Sequence, residues 1–481
     1  MLNTDGRWSM VVGNYSGMEA LSADKIYDLI SEYTDYLVEI QTSDSADSDF
    51  IAQRNVVIIG TPDSNKYIKE LTESGIIPAA DGDEGYFISV GKNPKNENYQ
   101  AIIISANTDK GIFYGASDLA NNYFANEVYQ RSDFNKLRTP KIFSEPFKEK
   151  LPAYSRLTSP AVKKRAIWTW GHCIYDYKRF FDNMAELRLN EIVIWNDFCP
   201  LNAKEVIEYA HSRGIGVIWG YAWGWDDKDM TPVDLVTRSN WEALADQILK
   251  IYEDSYLPTC ADGIYFQSFT ETGRRIRDGV VIAEAVVDWV NFVARKFYEK
   301  YPELHIQFGL HATSVKNDLE YIAKVDPKIQ IVWENCGAFP YCYNPSNTHD
   351  FDLTCDFSRK IANLRGKDDN FGVVIKGMTT LSWAEFEHHS GPYLLGVRSA
   401  DYTARRDEQK SRYWRLIQSK WIKNAKYPYE TIKLLTEEKN GDLDILSKTV
   451  PLRKISIFPF FSPPSCFGEQ TSRLTISSSA L

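Results

Sequence analysis

Cysteine is scarce in this sequence: seven residues among 481, scattered, with no Cys-x-x-Cys pair. That spacing excludes a disulfide framework and a zinc-knuckle pattern, and the thiols read as mostly buried. Long apolar runs are also missing. None approaches the roughly 20 residues of a membrane-crossing helix, so membrane insertion is not expected. The opening MLNTDGRWSMVVG has no basic end followed by an apolar core, so no signal peptide is visible and localisation stays open. Basic blocks and stripes are absent and the net charge is −10, which removes nucleic acid and anionic membranes as expected partners. No Gly-x-x-x-x-Gly-Lys-Ser/Thr phosphate loop occurs. GIGVIW at 214 lacks the last glycine of the dinucleotide fingerprint, and GASDL at 115 lacks the closing glycine of a serine elbow. Nothing therefore implies a nucleotide cofactor. WAEFEHH at 383–389 gathers acids and two histidines, but without an HExxH pattern or a second ligand cluster no metal is expected.

What is present is material for a large core. Hydrophobic residues make up 43% and charged residues 25%, as in a soluble globular protein, and the length suits two domains or one barrel with an appendage. There are 13 Trp and 28 Tyr, whose flat faces suit sugar rings but also fill cores. The first part reads as a small α/β domain over 1–135: a helical pattern over Met18–Ile40, strands NVVIIG, YFISV and AIIIS, and a helix beginning in DKGIFYGASDL. A Pro-containing link follows over 136–155. From there to 448 the rhythm changes. Apolar strands start near 165, 191, 214, 262, 305, 329 and 372, with helical segments between several of them. Most lack polar alternation, as strands covered on both faces do, and the alternation of strands and helices predicts a parallel sheet. Seven such strands fall one short of a (β/α)8 barrel of the TIM type. Residues 449–481 lose the rhythm and are rich in Ser, Pro and Phe, which reads as a misread or truncated end that would leave the eighth strand missing.

Several of these pieces carry a resemblance. Val56–Gly60 with its polar turn, Glu84-Gly85-Tyr86 before a strand, and Gly111-Ile112-Phe113-Tyr114-Gly115 followed by Leu119 resemble the small α/β domain that precedes the barrel in family 20 β-N-acetylhexosaminidases and family 67 α-glucuronidases. FFDNMAELRLN leading into EIVIWND, and EVIEYAHSRGIGV, are similar to the barrel of the same enzymes, so the resemblance spans roughly residues 50 to 390. It implies a glycoside hydrolase releasing a terminal sugar from an oligosaccharide or glycan, and relatives of this kind are often exported. One departure bears on specificity. The family 20 Asp-Glu pair after the fourth strand corresponds here to Thr270-Glu271, without the aspartate that orients an acetamido group.

In a parallel barrel the carboxyl ends of the strands meet at one face and supply the site. Polar residues at the inferred ends are Trp170 and His172; Asn196 and Asp197; Tyr221, Trp223 and Trp225; Gln267 and Glu271; His311; Glu334 and Asn335; and Lys376, with Trp383 beyond. Glycoside hydrolysis requires two carboxyl functions, or one plus a substrate amide, and flat walls for the sugar. The stretch ADGIYFQSFTETG delivers Glu271 from a buried strand, where a general acid belongs; otherwise it caps the next helix or pairs with Arg274 or Arg275. Glu334 in WEN is the candidate base or nucleophile, and Asp197 a third carboxylate. Trp223 and Trp225 could floor a sugar pocket or pack between barrel and helices. Trp170, His172, Asn196, Tyr221, Gln267, His311, Asn335, Lys376 and Trp383 are the remaining substrate contacts expected. Two other readings stand beside this one. The first is an α-glucuronidase-like inverting hydrolase in which Arg274, Arg275 or Lys376 holds a uronate. The second is a sugar-binding barrel without catalysis.

Overall fold

The computed structural model describes residues 7–32, 34, 36–128, 150–169, 174–196, 198–224, 233–267, 274–311, 315–334, 351–375, 391–405, 408–409 and 426–447. The chain divides into two units, Met1–Pro160 with Ser212–Gly214, and Ala161–His211 with Ile215–Leu481.

The first unit is built on a six-stranded sheet. Its strands are β1 (Trp8–Val12), β2 (Glu39–Thr42), β3 (Asn55–Gly60), β4 (Tyr86–Asn93), β5 (Asn96–Ala106) and β6 (Tyr154–Thr158), in the order β2-β1-β3-β5-β4-β6. β1, β2, β3 and β5 run parallel, while β4 pairs antiparallel with both β5 and β6. The runs NVVIIG and AIIIS form strands because β-branched side chains fill both covered faces of a sheet. Helix starts follow local chemistry. Asn65 accepts the N–H of Tyr67 at 3.0 Å to open the helix Lys66–Glu73, and Thr108 accepts that of Gly111 at 3.1 Å to open Asp109–Asp118. β6 begins inside the stretch expected to be a linker, so the sheet of the first unit draws its last strand from residues immediately before the barrel.

At the carboxyl ends of β1 and β3 the strand order reverses, the place where open α/β sheets usually take ligands. Here the crevice is filled from within. The Glu19 carboxylate, 3% exposed, accepts the Asn14 N–H at 3.0 Å and the Ser64 hydroxyl at 3.2 Å. Gly13 has to be bare, since a Cβ there would stand 2.4 Å from that Glu19 oxygen. Burial raises the Glu19 pKa above the ordinary carboxyl range, with the Ser64 and backbone bonds pulling the other way.

The second unit is a closed barrel of eight parallel strands: β7 (Lys164–Trp168), β8 (Glu191–Trp195), β9 (Gly216–Gly220), β10 (Gly263–Gln267), β13 (Ile306–His311), β14 (Gln330–Glu334), β15 (Phe371–Ile375) and β16 (Asp444–Ser447). A two-stranded antiparallel pair, β11 (Ile276–Arg277) and β12 (Val280–Val281), lies between β10 and the helix Ile282–Lys300. The expected TIM-type fold is therefore present, and the expected gap is not. Asp444–Ser447 is the eighth strand, pairing with β15 and β7 through Ile445, which stands opposite both Val373 and Arg165.

Inside the barrel an apolar belt takes Ala166, Val193, Ile218, Tyr265, Val332, Val374 and Leu446, one from each of seven strands, with Trp168 and Trp195 packed against it. The interior is thus a filled core. At the amino-terminal end the lining turns polar: Lys164 Nζ lies 3.2 Å from Glu191, and Gln307 donates to Glu191 at 3.4 Å. Burial pulls the Lys164 pKa down, but the Glu191 charge and hydrogen bond outweigh it and leave the pKa raised. Arg165 faces away from the axis at this same end, donating to the carbonyls of Arg188 and Val162, both at 2.7 Å, as a latch of the stability face.

Candidate active site

The carboxyl ends of β10, β13 and β14 bring three polar side chains together. His311 and Glu334, each the last residue of its strand, are register partners. Glu334 Oε2 lies 3.0 Å from His311 Nε2. That separation is within ion-pair range. The distance places the imidazole and the carboxyl group face to face in a low-dielectric interior, where any charge on either acts strongly on the other. The other oxygen, Oε1, accepts the Tyr265 hydroxyl at 2.7 Å. All three residues are buried, Glu334 and Tyr265 completely.

Tyr265 belongs to β10 and Glu334 to β14, so the phenol reaches across the intervening strand β13. It can do so because β13 contributes no side chain at the crossing point. A Cβ on Gly309 would meet the Tyr265 hydroxyl oxygen at 2.0 Å and Glu334 Oε1 at 3.2 Å. The belt of interior side chains is interrupted at that one strand, and the gap lets a phenol and a carboxylate meet. The Trp168 and Trp195 rings stand edge-on to Tyr265 at 6.1 and 5.9 Å and fix its plane.

Other expected site residues lie elsewhere. Tyr221 and Trp223 do not face the barrel axis. The interior positions of β9 are those that share the parity of Ile218, and Tyr221 continues the opposite series. Tyr221 stacks on Tyr256 at 4.7 Å, and burial lifts its hydroxyl pKa well above the phenol range. Trp223 is 1% exposed and stacks on Phe266 at 3.9 Å and on Phe297 of the helix Ile282–Lys300 at 5.4 Å. It is core between barrel and helices, not a sugar floor, with its ring stacked on both Phe266 and Phe297. Asn196 accepts the Phe198 N–H at 3.3 Å, shaping the turn after β8, and Gln267 is the last residue of β10. Arg275, a candidate for holding a uronate, is instead committed to Asp318 through two bonds of 2.6 Å. Glu271, Asp197, Trp170, His172, Trp225, Asn335, Lys376 and Trp383, like His388 and His389, lie outside the described residues.

Sequence reasoning missed Tyr265, Trp168, Trp195 and Gly309. Counting back by two from the strand ends would have found Tyr265, since alternate strand residues share a face. The described residues contain no group of three or more His, Cys, Asp or Glu able to hold a metal ion.

Neither a protein-family profile nor any curated protein matches this sequence. Solved structures similar to the chain include glycoside hydrolases. The structure of CpGH84B is 12% identical, with a TM-score of 0.44, over 78% of this chain and 58% of that one. A GH138 enzyme described as targeting pectin rhamnogalacturonan II is 11% identical with a TM-score of 0.45, over 91% and 46%. A mutant β-hexosaminidase of Streptomyces plicatus in complex with its product GlcNAc is 11% identical with a TM-score of 0.47, over 97% and 88%. The chain thus spans about half the length of the first two. All three scores lie below 0.5, so function has to be argued from this chain's own residues.

Proposed function

We propose that the chain is a glycoside hydrolase that binds a terminal sugar of an oligosaccharide or glycan at the carboxyl-terminal mouth of the barrel. The observation that carries this reading is the buried carboxylate, imidazole and phenol of Glu334, His311 and Tyr265, bordered by Trp168 and Trp195, at the strand ends where such barrels do their chemistry. A buried negative charge below a sugar favours the oxocarbenium-like transition state of glycosidic cleavage more than the neutral ground state.

In this reading Glu271, which follows β10, protonates the leaving oxygen, and Asp197 supplies the second carboxyl function. Glu334 serves differently from the base or nucleophile that the sequence suggests. With no exposed surface and its two oxygens facing Tyr265 and His311, it orients His311 from the neighbouring strand rather than attacking. His311 then binds a sugar hydroxyl. The family 20 resemblance makes an acetamido sugar the first substrate to offer, and Thr270 in place of that family's aspartate argues for including others. The commitment of Arg275 to Asp318 removes one of the cations that a uronate would need.

The test is a panel of nitrophenyl glycosides, including an N-acetylglucosaminide and a glucuronide, assayed with the full chain. Turnover of one member is expected, and Glu271→Gln should lower its kcat by about 10²–10⁴-fold. Turnover unchanged in that variant would end the general-acid assignment. Calorimetric binding of glycans without turnover of any glycoside would select a binding barrel instead.

A further inference from the structure

We propose that Tyr265 is a positioning residue: it holds Glu334, and through it His311, across a gap that Gly309 leaves open. The inference rests on the glycoside-hydrolase reading for its kinetic consequence, while its physical content stands on geometry alone.

Three observations converge. The Tyr265 hydroxyl is 2.7 Å from Glu334 Oε1, a well-formed hydrogen bond, and both groups are fully buried. The bond spans two strands instead of one, so it exists only where the middle strand carries glycine. Any side chain at 309 would occupy the place of the phenol oxygen, 2.0 Å away. Finally, the ring cannot swing aside freely, being set edge-on to Trp168 and Trp195. A tyrosine held this tightly for packing alone would need no acceptor; phenylalanine fills the same volume. The hydroxyl therefore has a polar task, which is to hold one oxygen of Glu334 so that the other stays against His311.

Removing that donor leaves the carboxylate less stabilised as an anion, so the coupled Glu334–His311 pair binds protons more tightly. Tyr265→Phe is the test. On a glycoside that the full chain cleaves, kcat should fall about tenfold or more, the value of a hydrogen bond to a charged group. KM should stay within about twofold, because uniform binding is untouched. The limb of the pH–rate profile set by this pair should move to higher pH. Gly309→Ala pushes the same hydroxyl away without altering Tyr265 and should act in the same direction.

A second readout is independent of turnover: the titration of the His311 ring followed by NMR in ¹⁵N-histidine-labelled protein, with His311→Gln assigning the signal. Its midpoint should rise in Tyr265→Phe. Unchanged kinetics and an unchanged His311 titration would overturn the proposal, and so would loss of the fold in both variants, which would make the bond structural. If the full chain cleaves no glycoside, the functional reading fails, and the NMR midpoint alone decides the positioning role.

Discussion

A difference of one residue in strand parity separates the helix-facing side of a barrel strand from its interior. Trp223 lies on the helix-facing side, stacked between Phe266 and Phe297, whereas Trp168 and Trp195 lie with the interior belt. Trp223→Ala should therefore cost about 3–5 kcal/mol in urea unfolding, the usual penalty for emptying a buried aromatic site, and leave glycan affinity of the folded fraction unchanged. A floor residue would show the opposite pattern. Thiols make a second residue-scale contrast. Cys199 is half-buried and its pKa is raised to about 11 by burial, while Cys260 is exposed. Alkylation at pH 8 followed by peptide mapping should label Cys260 well ahead of Cys199, since the thiolate is the reactive form. Equal labelling would mean that the pocket around Cys199 opens readily.

Among the elements, the short closing strand β16 has the greatest leverage. It is four residues long, yet it pairs on both sides and turns an open sheet into a barrel. Proline at its centre would remove a ladder N–H from a strand with two neighbours. Ile445→Pro should lower unfolding stability by about 3 kcal/mol or more and broaden the transition. A sharp transition at the original midpoint would show that closure contributes little.

This strand also marks where the sequence became hard to read. The other seven barrel strands announce themselves as apolar runs such as EIVIW and IQIVWE. In GDLDILS only three apolar residues appear, with Asp442 and Asp444 among them, because one face of the strand joins a polar end layer. The carboxylate and imidazole of the site were legible for a simpler reason: Glu334 and His311 end strands, where polarity changes abruptly. Tyr265 was hidden in a buried aromatic run, and its role depends on a bare position on the neighbouring strand, which local pattern does not encode. Glu271 follows the fourth strand by pattern alone, while its role as an acid rested mainly on the resemblance.

On the scale of the whole molecule, the two ends of the barrel differ in charge chemistry. At the amino-terminal end burial drives the Asp444 pKa up to about 7, and Glu191 adds to the rise; Gln330, Lys164 and Lys163 oppose it. Asp444 is thus protonated in the fold over a range where it is ionised in the unfolded chain. The stability it contributes is complete below the ordinary carboxyl pKa and is lost as pH climbs through about 7. The slope of that loss is at most about 1.4 kcal/mol per pH unit for one proton. Buried His305, its pKa lowered by desolvation, contributes in the opposite sense at acid pH, so the comparison that isolates Asp444 is with Asp444→Asn. The variant should gain on the parent in thermal midpoint between about pH 4 and 7 and level off above, and a constant difference would refute the coupling. The other unit has settled its electrostatics differently. With a carboxylate of its own seated among the amides where its parallel strands diverge, that sheet comes with its guest already installed. Glu19→Ala would take away the acceptor that the Asn14 N–H and the Ser64 hydroxyl share, and leave both donors facing an emptied crevice.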